Sequence, residues 1–388
     1  MAVRVNKSAF NIREKLSELA VKFGLKGSEL MRAETVQDAR DLVSAGRKNL
    51  IINGDMKVHQ RGGSLELDAA EHGYSLDRWA SSLVSTGVIS TSQQSSSPPP
   101  GFTNYIETNV DTANTPATSE YGGVYQAIEG LNMQHLKWGT SEAKYATLSF
   151  WHKHSISGAY CISVRNGSSN YNYIIEYQQK TADVWEKQTF VIKPPTSGTF
   201  SVSNTSALTI SFYHTNKVSY QTTNTESWFS GTYYHSTPNQ VQMMATENAK
   251  FRLGGVQLEV GKNATEFEHR SYGEELALCQ RYYEQYAYTN QYEWISTCRL
   301  NSSGSGECDF TWYPKRIEPT ITTNGAGNFR VNDNTNDTVC TGVVPNTNLR
   351  PNGGQITFNS AGAFTQNAIG YINTQLNNDA YIYIDAEL

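Results

Sequence analysis

The side chains of this chain that could act on a ligand fall into three groups: scattered carboxylates, a close pair of histidines and a heavy load of aromatic rings. Hydrolysis of a glycosidic bond requires two carboxyl groups flanking it. Asp55, Asp77, Glu129, Glu176 and Glu186 are the candidates. They lie on separate segments, and nothing in the sequence brings two of them together; such groups are ordinarily solvated or paired with arginine. Asp77-Arg78 reads as a structural ion pair or a turn cap. His59, Gln60 and Arg61 stand beside the Asn53-Gly54-Asp55 turn. His152 and His154 alternate along a predicted strand, so they share a face. With no third ligand in view, they read as surface histidines. Neither a GxSxG elbow nor an HExxH helix occurs, and Gly254-Gly255 lacks the GxGxxG context of a phosphate cradle.

The aromatic residues are the stronger signal. The chain has 23 Tyr and 7 Trp. Such rings stack on sugar faces while their polar edges bond hydroxyls. Tyr121, Tyr125, Trp138, Trp151, Trp185 and Trp228 fall in or near predicted strands and are assigned mostly to the core. Tyr286, Tyr288, Tyr292, Trp294, Trp312 and Tyr313 fall where a last domain begins. They are the candidate ligand contacts, with packing between subunits as the competing reading.

Composition sets the frame for these groups. A chain of 388 residues is long enough for two or three domains. Hydrophobic content of 38% and charged content of 17% are both low, and Ser, Thr, Asn, Gln, Gly and Tyr make up the balance. This favours strands, turns and polar exposed surface. A net charge of −5 argues against a nucleic-acid partner. The five cysteines form no CxxC pair and read as buried small hydrophobes in a reducing compartment, with Cys298–Cys308 the one pairing a hairpin would allow. No apolar run approaches the ~20 residues of a membrane helix. Met1–Phe10 lacks the apolar core of a signal peptide. Synthesis and assembly in a cytoplasm are therefore expected.

Residues 1–47 carry the helical pattern. Ile12, Leu16, Leu19 and Phe23 are spaced as a coiled-coil seam, too short to stand alone. A second helix is predicted from Thr35 to Gly46. Strand signals follow at Lys48–Met56, where the strand runs into an Asn-Gly turn, and at Tyr74–Trp79, Val124–Ile128, Ala146–His152, Tyr160–Val164, Tyr171–Tyr177, Trp185–Ile192, Leu208–Tyr213 and Lys250–Glu259, with a Ser/Pro-rich loop over Ser92–Gly101. This spacing predicts a β-sandwich. Glu274–Tyr283 is a short helical run with acids at its start. Ile317–Thr322 and Ala380–Ala386 alternate as strands of a smaller C-terminal sandwich. The expected fold is thus mainly β: a helical segment at 1–47, a jelly roll at 48–270, a connector at 271–284 and a C-terminal β domain at 285–388.

Several blocks carry a resemblance. KNLIINGDMKVHQRG with YSLDRW, LKWGTSEAKYATLSFWHKHSISGAYCISVRNG, and GGVQLEVGKNATEFEHRSYGEELALCQRYY are similar to segments of tail-fibre and tail-appendage proteins of bacterial viruses. VNKSAFNIREKLSEL and LMRAET resemble their virion-proximal ends. The similarity touches most of 48–285 in separated blocks and fades after about residue 290. It implies a virion protein built as a parallel homotrimer that docks on other phage tail proteins through residues 1–47. It further implies a C-terminal tip that binds a host surface polysaccharide or lipopolysaccharide without catalysis, nucleic acid or membrane insertion. Jelly rolls of this kind often hold a structural calcium. Asp55 and Glu259 are the candidates here, with Gln257 standing where an acid would be expected. A tail adaptor without a ligand and a polysaccharide depolymerase are the alternatives.

Overall fold

The computed structural model describes residues 48–388 apart from 334, 347 and 376–378. The Ile12, Leu16, Leu19 and Phe23 seam lies outside the described residues. The remainder is mainly β, as expected. The first domain contains β1 (Ser64–Leu76), β2 (Trp79–Gln94), β3 (Tyr105–Thr112), β4 (Tyr121–Glu129), β5 (Ala146–His154), β6 (Gly158–Asn166), β7 (Tyr171–Gln179), β8 (Glu186–Ile192), β9 (Ser206–Asn216), β10 (Phe229–Ser230) and β11 (Lys250–Val260). All are joined in one hydrogen-bonded path, β10-β7-β6-β9-β4-β2-β3-β11-β5-β8, with β1 paired to β2.

The path doubles back at β2. Its first half pairs with β4 (Ala80 to Tyr125, Val84 to Tyr121), and its second half pairs with β3 (Ile89 to Val110, Gln94 to Tyr105). Between them β1 skips from Val84 to Val88, so residues 85–87 bulge and the strand changes sheets. Gly87 sits at this corner because a Cβ there would lie 2.5 Å from both Met244 Cε and Thr112 O. The two halves then face each other. Phe150 of β5 meets Phe212 of β9 edge-on at 5.1 Å, and Trp79 lies 6.3 Å from Phe212. Strand alternation supplies this core: Leu208, Ile210 and Phe212 of β9, and Val124 and Ile128 of β4, are all buried inward.

Two readings of this domain are corrected. The turn expected at Asn53-Gly54 is present, but the strand expected to lead into it is not: residues 51–56 form a buried turn. Asn53, at φ 56°, wraps the chain on itself. Its amide donates to Val58 O (2.8 Å) and Asp77 O (3.0 Å), while its Oδ1 accepts from Val58 N (2.9 Å). His152 and His154 do share a face, but it is the inner one. Both are fully buried and their rings stack at 5.0 Å.

Helix α1 (Tyr272–Gln280) follows, started by a capping box between Ser271 and Glu274. The second domain contains β12 (Tyr283–Tyr288), β13 (Trp294–Leu300), β14 (Ser305–Thr311), β15 (Thr320–Thr323), β16 (Phe329–Asn332), β17 (Asp337–Pro345), β18 (Gly353–Ser360), β19 (Ile369–Thr374) and β20 (Ala380–Asp385). Strands β13-β14-β18-β17-β16-β19 close on themselves, and β12-β20-β15 form a separate sheet. One core, including Phe310, Phe329, Phe358, Ile372 and Ile382, serves both.

The domains meet over Ile52, Val58, Cys279 and Tyr282. The C-terminal tail crosses this joint. Ala386 N bonds Tyr282 O at 2.7 Å, and the Glu387 carboxylate pairs with Arg78 and with Arg61 (3.1 Å). Arg78 is fully buried and lies 3.6 Å over the Tyr282 ring. Arg281 and the Tyr282 hydroxyl both reach Glu129, each at 2.6 Å.

Burial holds three core histidines neutral. It lowers the pKa of His152 to about 4 and of His214 to about 3, and drives His154 well below its usual value. Neither ring nitrogen of His214 has a partner. The unfolded chain takes up these protons near pH 6.5, so the stability is complete above that pH and is lost as the pH falls from there toward the folded values. His214→Phe should therefore lose ~1.4 kcal/mol less between pH 7.5 and 5.5 than the parent, measured by urea unfolding. An equal loss in both proteins would show that His214 carries none of this dependence.

Candidate functional site

The outer face of the β2-β4-β9-β6 sheet carries a groove of about 400 Å³. The inner face is apolar, so the residues of opposite parity point outward: Tyr121, Gly123 and Tyr125 on β4, Thr209, Ser211 and Tyr213 on β9, and Arg165 on β6. Register aligns them. Tyr125 stands opposite Ser211, Gly123 opposite Tyr213, and Thr209 opposite Arg165. Gly123 keeps the floor low, since a Cβ there would come within 2.8 Å of Phe212 O and 3.0 Å of the Tyr213 ring.

A loop after β10 completes one wall. His235 N bonds Tyr220 O at 2.8 Å, and the Ser163 hydroxyl holds Tyr234 O at 2.8 Å. The His235 ring lies flat against Tyr213 (4.4 Å, 13°) and Tyr220 (4.8 Å, 19°), with Tyr121 edge-on at 4.9 Å. Tyr233 is half exposed, with the Arg165 guanidinium 5.7 Å from its ring centre. Burial raises the pKa of the Tyr125 and Tyr213 hydroxyls, so they stay protonated and able to donate. Burial, then Arg165, lowers that of His235, so its ring is neutral. Arg165 Nε and His235 Nδ1 are buried with no hydrogen-bond partner. The groove is therefore lined by aromatic rings and phenolic hydroxyls, with two unpartnered nitrogens buried in its wall. Glu71 is the single carboxylate among its lining residues.

Two other hollows have their groups engaged. One of about 420 Å³ lies over Trp138 and Phe200, whose rings pack on each other and on Trp228. One of about 350 Å³ lies at the joint, where Arg61 already covers the Tyr283 ring at 3.6 Å.

The residues singled out in the last domain do not gather in one place. Trp312 is buried and donates to Pro351 O at 3.0 Å. Tyr286 and Tyr288 pack on the domain core. Tyr313 is partly exposed, and its backbone N–H donates to Glu284 near the joint. Tyr292 and Trp294 are more than half exposed, and Trp294 stacks on Tyr371 at 4.6 Å. The groove takes Tyr121 and Tyr125, expected mostly in the core, together with Tyr213 and Tyr233, for which the sequence carries no separate expectation. Parity was the signal available: Val124 and Gln126 alternate with Tyr125, and Ile210 and Phe212 with Ser211 and Tyr213.

The carboxylates remain apart, each in a structural role. Asp77 accepts from Gln60 N at 2.7 Å, Asp55 pairs with Lys57 at 2.9 Å, and Glu129 holds Arg281 and Tyr282. Glu176 accepts from Thr237 and Asn239, while Glu186 accepts from the backbone of Lys180 and Thr181. The residues proposed for calcium do not form an oxygen cage. Glu259 accepts from Gln257 (2.9 Å) and twice from Thr265 (2.8 and 2.7 Å), and the Lys48 ammonium binds Thr265 Oγ1 beside it. No cluster of three metal-ligating side chains occurs among the described residues.

No family model and no curated protein matches this sequence. Among solved structures, the chain is similar to the enzymatically active domain of bacteriophage CBA120 tailspike protein 4, at 13% identity and a TM-score of 0.32, over 55% of this chain and 21% of that one. It thus spans about a fifth of the tailspike domain it matches. It is also similar to TmCBM61 in complex with β-1,4-galactotriose (9% identity, TM-score 0.29, 55% of this chain and 100% of that one). A third likeness is to the family 11 carbohydrate-binding module of the cellulase Lic26A-Cel5E of Clostridium thermocellum (14% identity, TM-score 0.27, 53% and 98%). At these TM-scores the fold assignment rests on the sheets described above.

Placement of the last-domain aromatics predicts opposite responses. Trp312→Ala should cost about 3–5 kcal/mol in chemical unfolding, whereas Trp294→Ala should cost about 1 kcal/mol or less. Similar losses at both positions would contradict the buried and exposed placements.

Proposed function

We propose that this chain is a tail-fibre protein of a bacterial virus that binds a host cell-surface glycan, and that the β4-β9-β6 groove is its principal grip. The observation that carries the glycan reading is the groove itself: tyrosine rings set around buried nitrogens that lack hydrogen-bond partners within the chain. A sugar ring offers an apolar face for the tyrosines and hydroxyls for the free nitrogens. The viral reading is supported by the sequence blocks at 48–285. In it, residues 1–47 dock on other tail proteins and three copies assemble in parallel. Weak grooves on one particle then act together through effective concentration.

A second contact is favoured by one observation. The exposed ring of Trp294, backed by Tyr371, offers a flat platform on the last domain. Hydrolysis of the glycan is not part of the reading, because Asp55, Asp77, Glu129, Glu176 and Glu186 are tied to separate partners.

Binding of the full chain to a glycan array and to whole bacterial cells tests this, with reducing-sugar release followed in parallel. Tyr125→Ala should lower binding about tenfold, the loss of one ring contact of ~1.4 kcal/mol, and no sugar should be released. Loss confined to Trp294→Ala would move the principal contact to the last domain. Sugar release would favour a depolymerase, and absence of binding by the parent would favour a tail adaptor.

A further inference from the structure

Among the described residues, most arginines are committed. Arg61, Arg78, Arg252, Arg270, Arg281, Arg299 and Arg330 each pair with a carboxylate. Arg316 donates to the carbonyls of Ala386, Asn204 and Glu387. Arg165 differs. It is half-buried, and among the described residues it makes no ion pair. Its Nη1 reaches only His235 Nε2, at 3.5 Å, and its Nε is buried with no partner. A guanidinium can only donate, so the His235 nitrogen facing it is the acceptor. The proton of the neutral ring is then on Nδ1, which is also buried and unpartnered.

The uncommitted groups at this end of the groove are therefore both N–H donors, one of them on a permanent cation. Neutral hydroxyls would satisfy them in part, but an anionic oxygen pair matches a guanidinium edge in both charge and shape. The charges that face this site are few. Glu71 lines the far rim, is exposed, and already accepts from Asp68 N at 3.1 Å. Thr209 and Ser211 beside Arg165 are neutral.

Resting on the glycan reading above, we infer that the groove selects an acidic saccharide, whose carboxylate or phosphate is held by Arg165 with His235 while the tyrosines hold the sugar rings. The shared chemistry is a sugar-borne oxyanion. The two sources are a uronic-type acid and a phosphodiester-linked sugar.

The test uses the full chain and a panel of acidic bacterial surface polysaccharides. Each polymer is offered intact, after reduction of its carboxyl groups to alcohols, and after removal of its phosphate. Affinity for the intact polymer should fall at least tenfold on one of the two treatments, and which one identifies the oxyanion. It should also weaken with added salt. Arg165→Gln should abolish the difference between intact and treated polymer while keeping the residual binding. Arg165→Lys, which keeps the charge but loses the fork, should restore part of it. Equal binding to intact and treated polymers, unchanged by Arg165→Gln, would overturn acid selection and leave glycan binding standing. Failure of any polymer to bind would remove both.

Discussion

The groove depends on one constraint: β4, β9 and β6 must lie in fixed register with their other face locked into the core. A strand repeats every two residues, so a slip of one would send Tyr125, Tyr213 and Arg165 inward and expose Val124, Phe212 and Val164. Burying Val124, Ile210, Phe212 and Val164 forbids that slip. The polar outer face is thus a consequence of the apolar inner one. Its unpartnered Arg165 and His235 nitrogens are tolerated because the sheet beneath them is held by other contacts.

The joint applies the same logic at larger scale. A buried Arg78 needs an anion, and the anion comes from Glu387, next to the last residue of the chain. Such a pair gains little net stability over an apolar contact, but its loss from one side leaves an uncompensated charge. It therefore ties the end of the second domain to the β1–β2 turn of the first. The Asn53 turn takes part as well, through Asp77 O and through the Trp79 indole, which donates to Asn53 O at 2.9 Å. Conserving this geometry fixes where the groove lies relative to Trp294 and Tyr371, the other surface with an open ring face.

Much of the fold was legible in the sequence, because strands with one buried face alternate openly. The Val124–Ile128, Leu208–Tyr213 and Lys250–Glu259 runs all became strands, as did Ala380–Ala386 but for its last residue, which belongs to the tail. Lys48–Met56 has the turn its Asn-Gly pair signals but no strand before it, because its apolar residues are buried around a turn held by one asparagine side chain, and alternation does not report side-chain-to-backbone bonds. The two histidines mislead because a polar ring need not be exposed: the aromatic core around Phe150 and Tyr177 accommodates neutral imidazoles. The groove was half legible. Parity places Tyr125 and Tyr213 on the outer face, but their neighbours come from strands some 40 to 90 residues away, and the His235 wall is a loop whose return over the sheet leaves no local pattern.

The most direct test of the central claim is a structure of the full chain bound to an oligosaccharide cut from a surface polymer that it recognises. The account predicts the sugar in the β4-β9-β6 groove, rings against Tyr125 and Tyr213, with an oxygen of the ligand on Arg165. An oligosaccharide ordered on Trp294 and Tyr371 with the groove empty would contradict it.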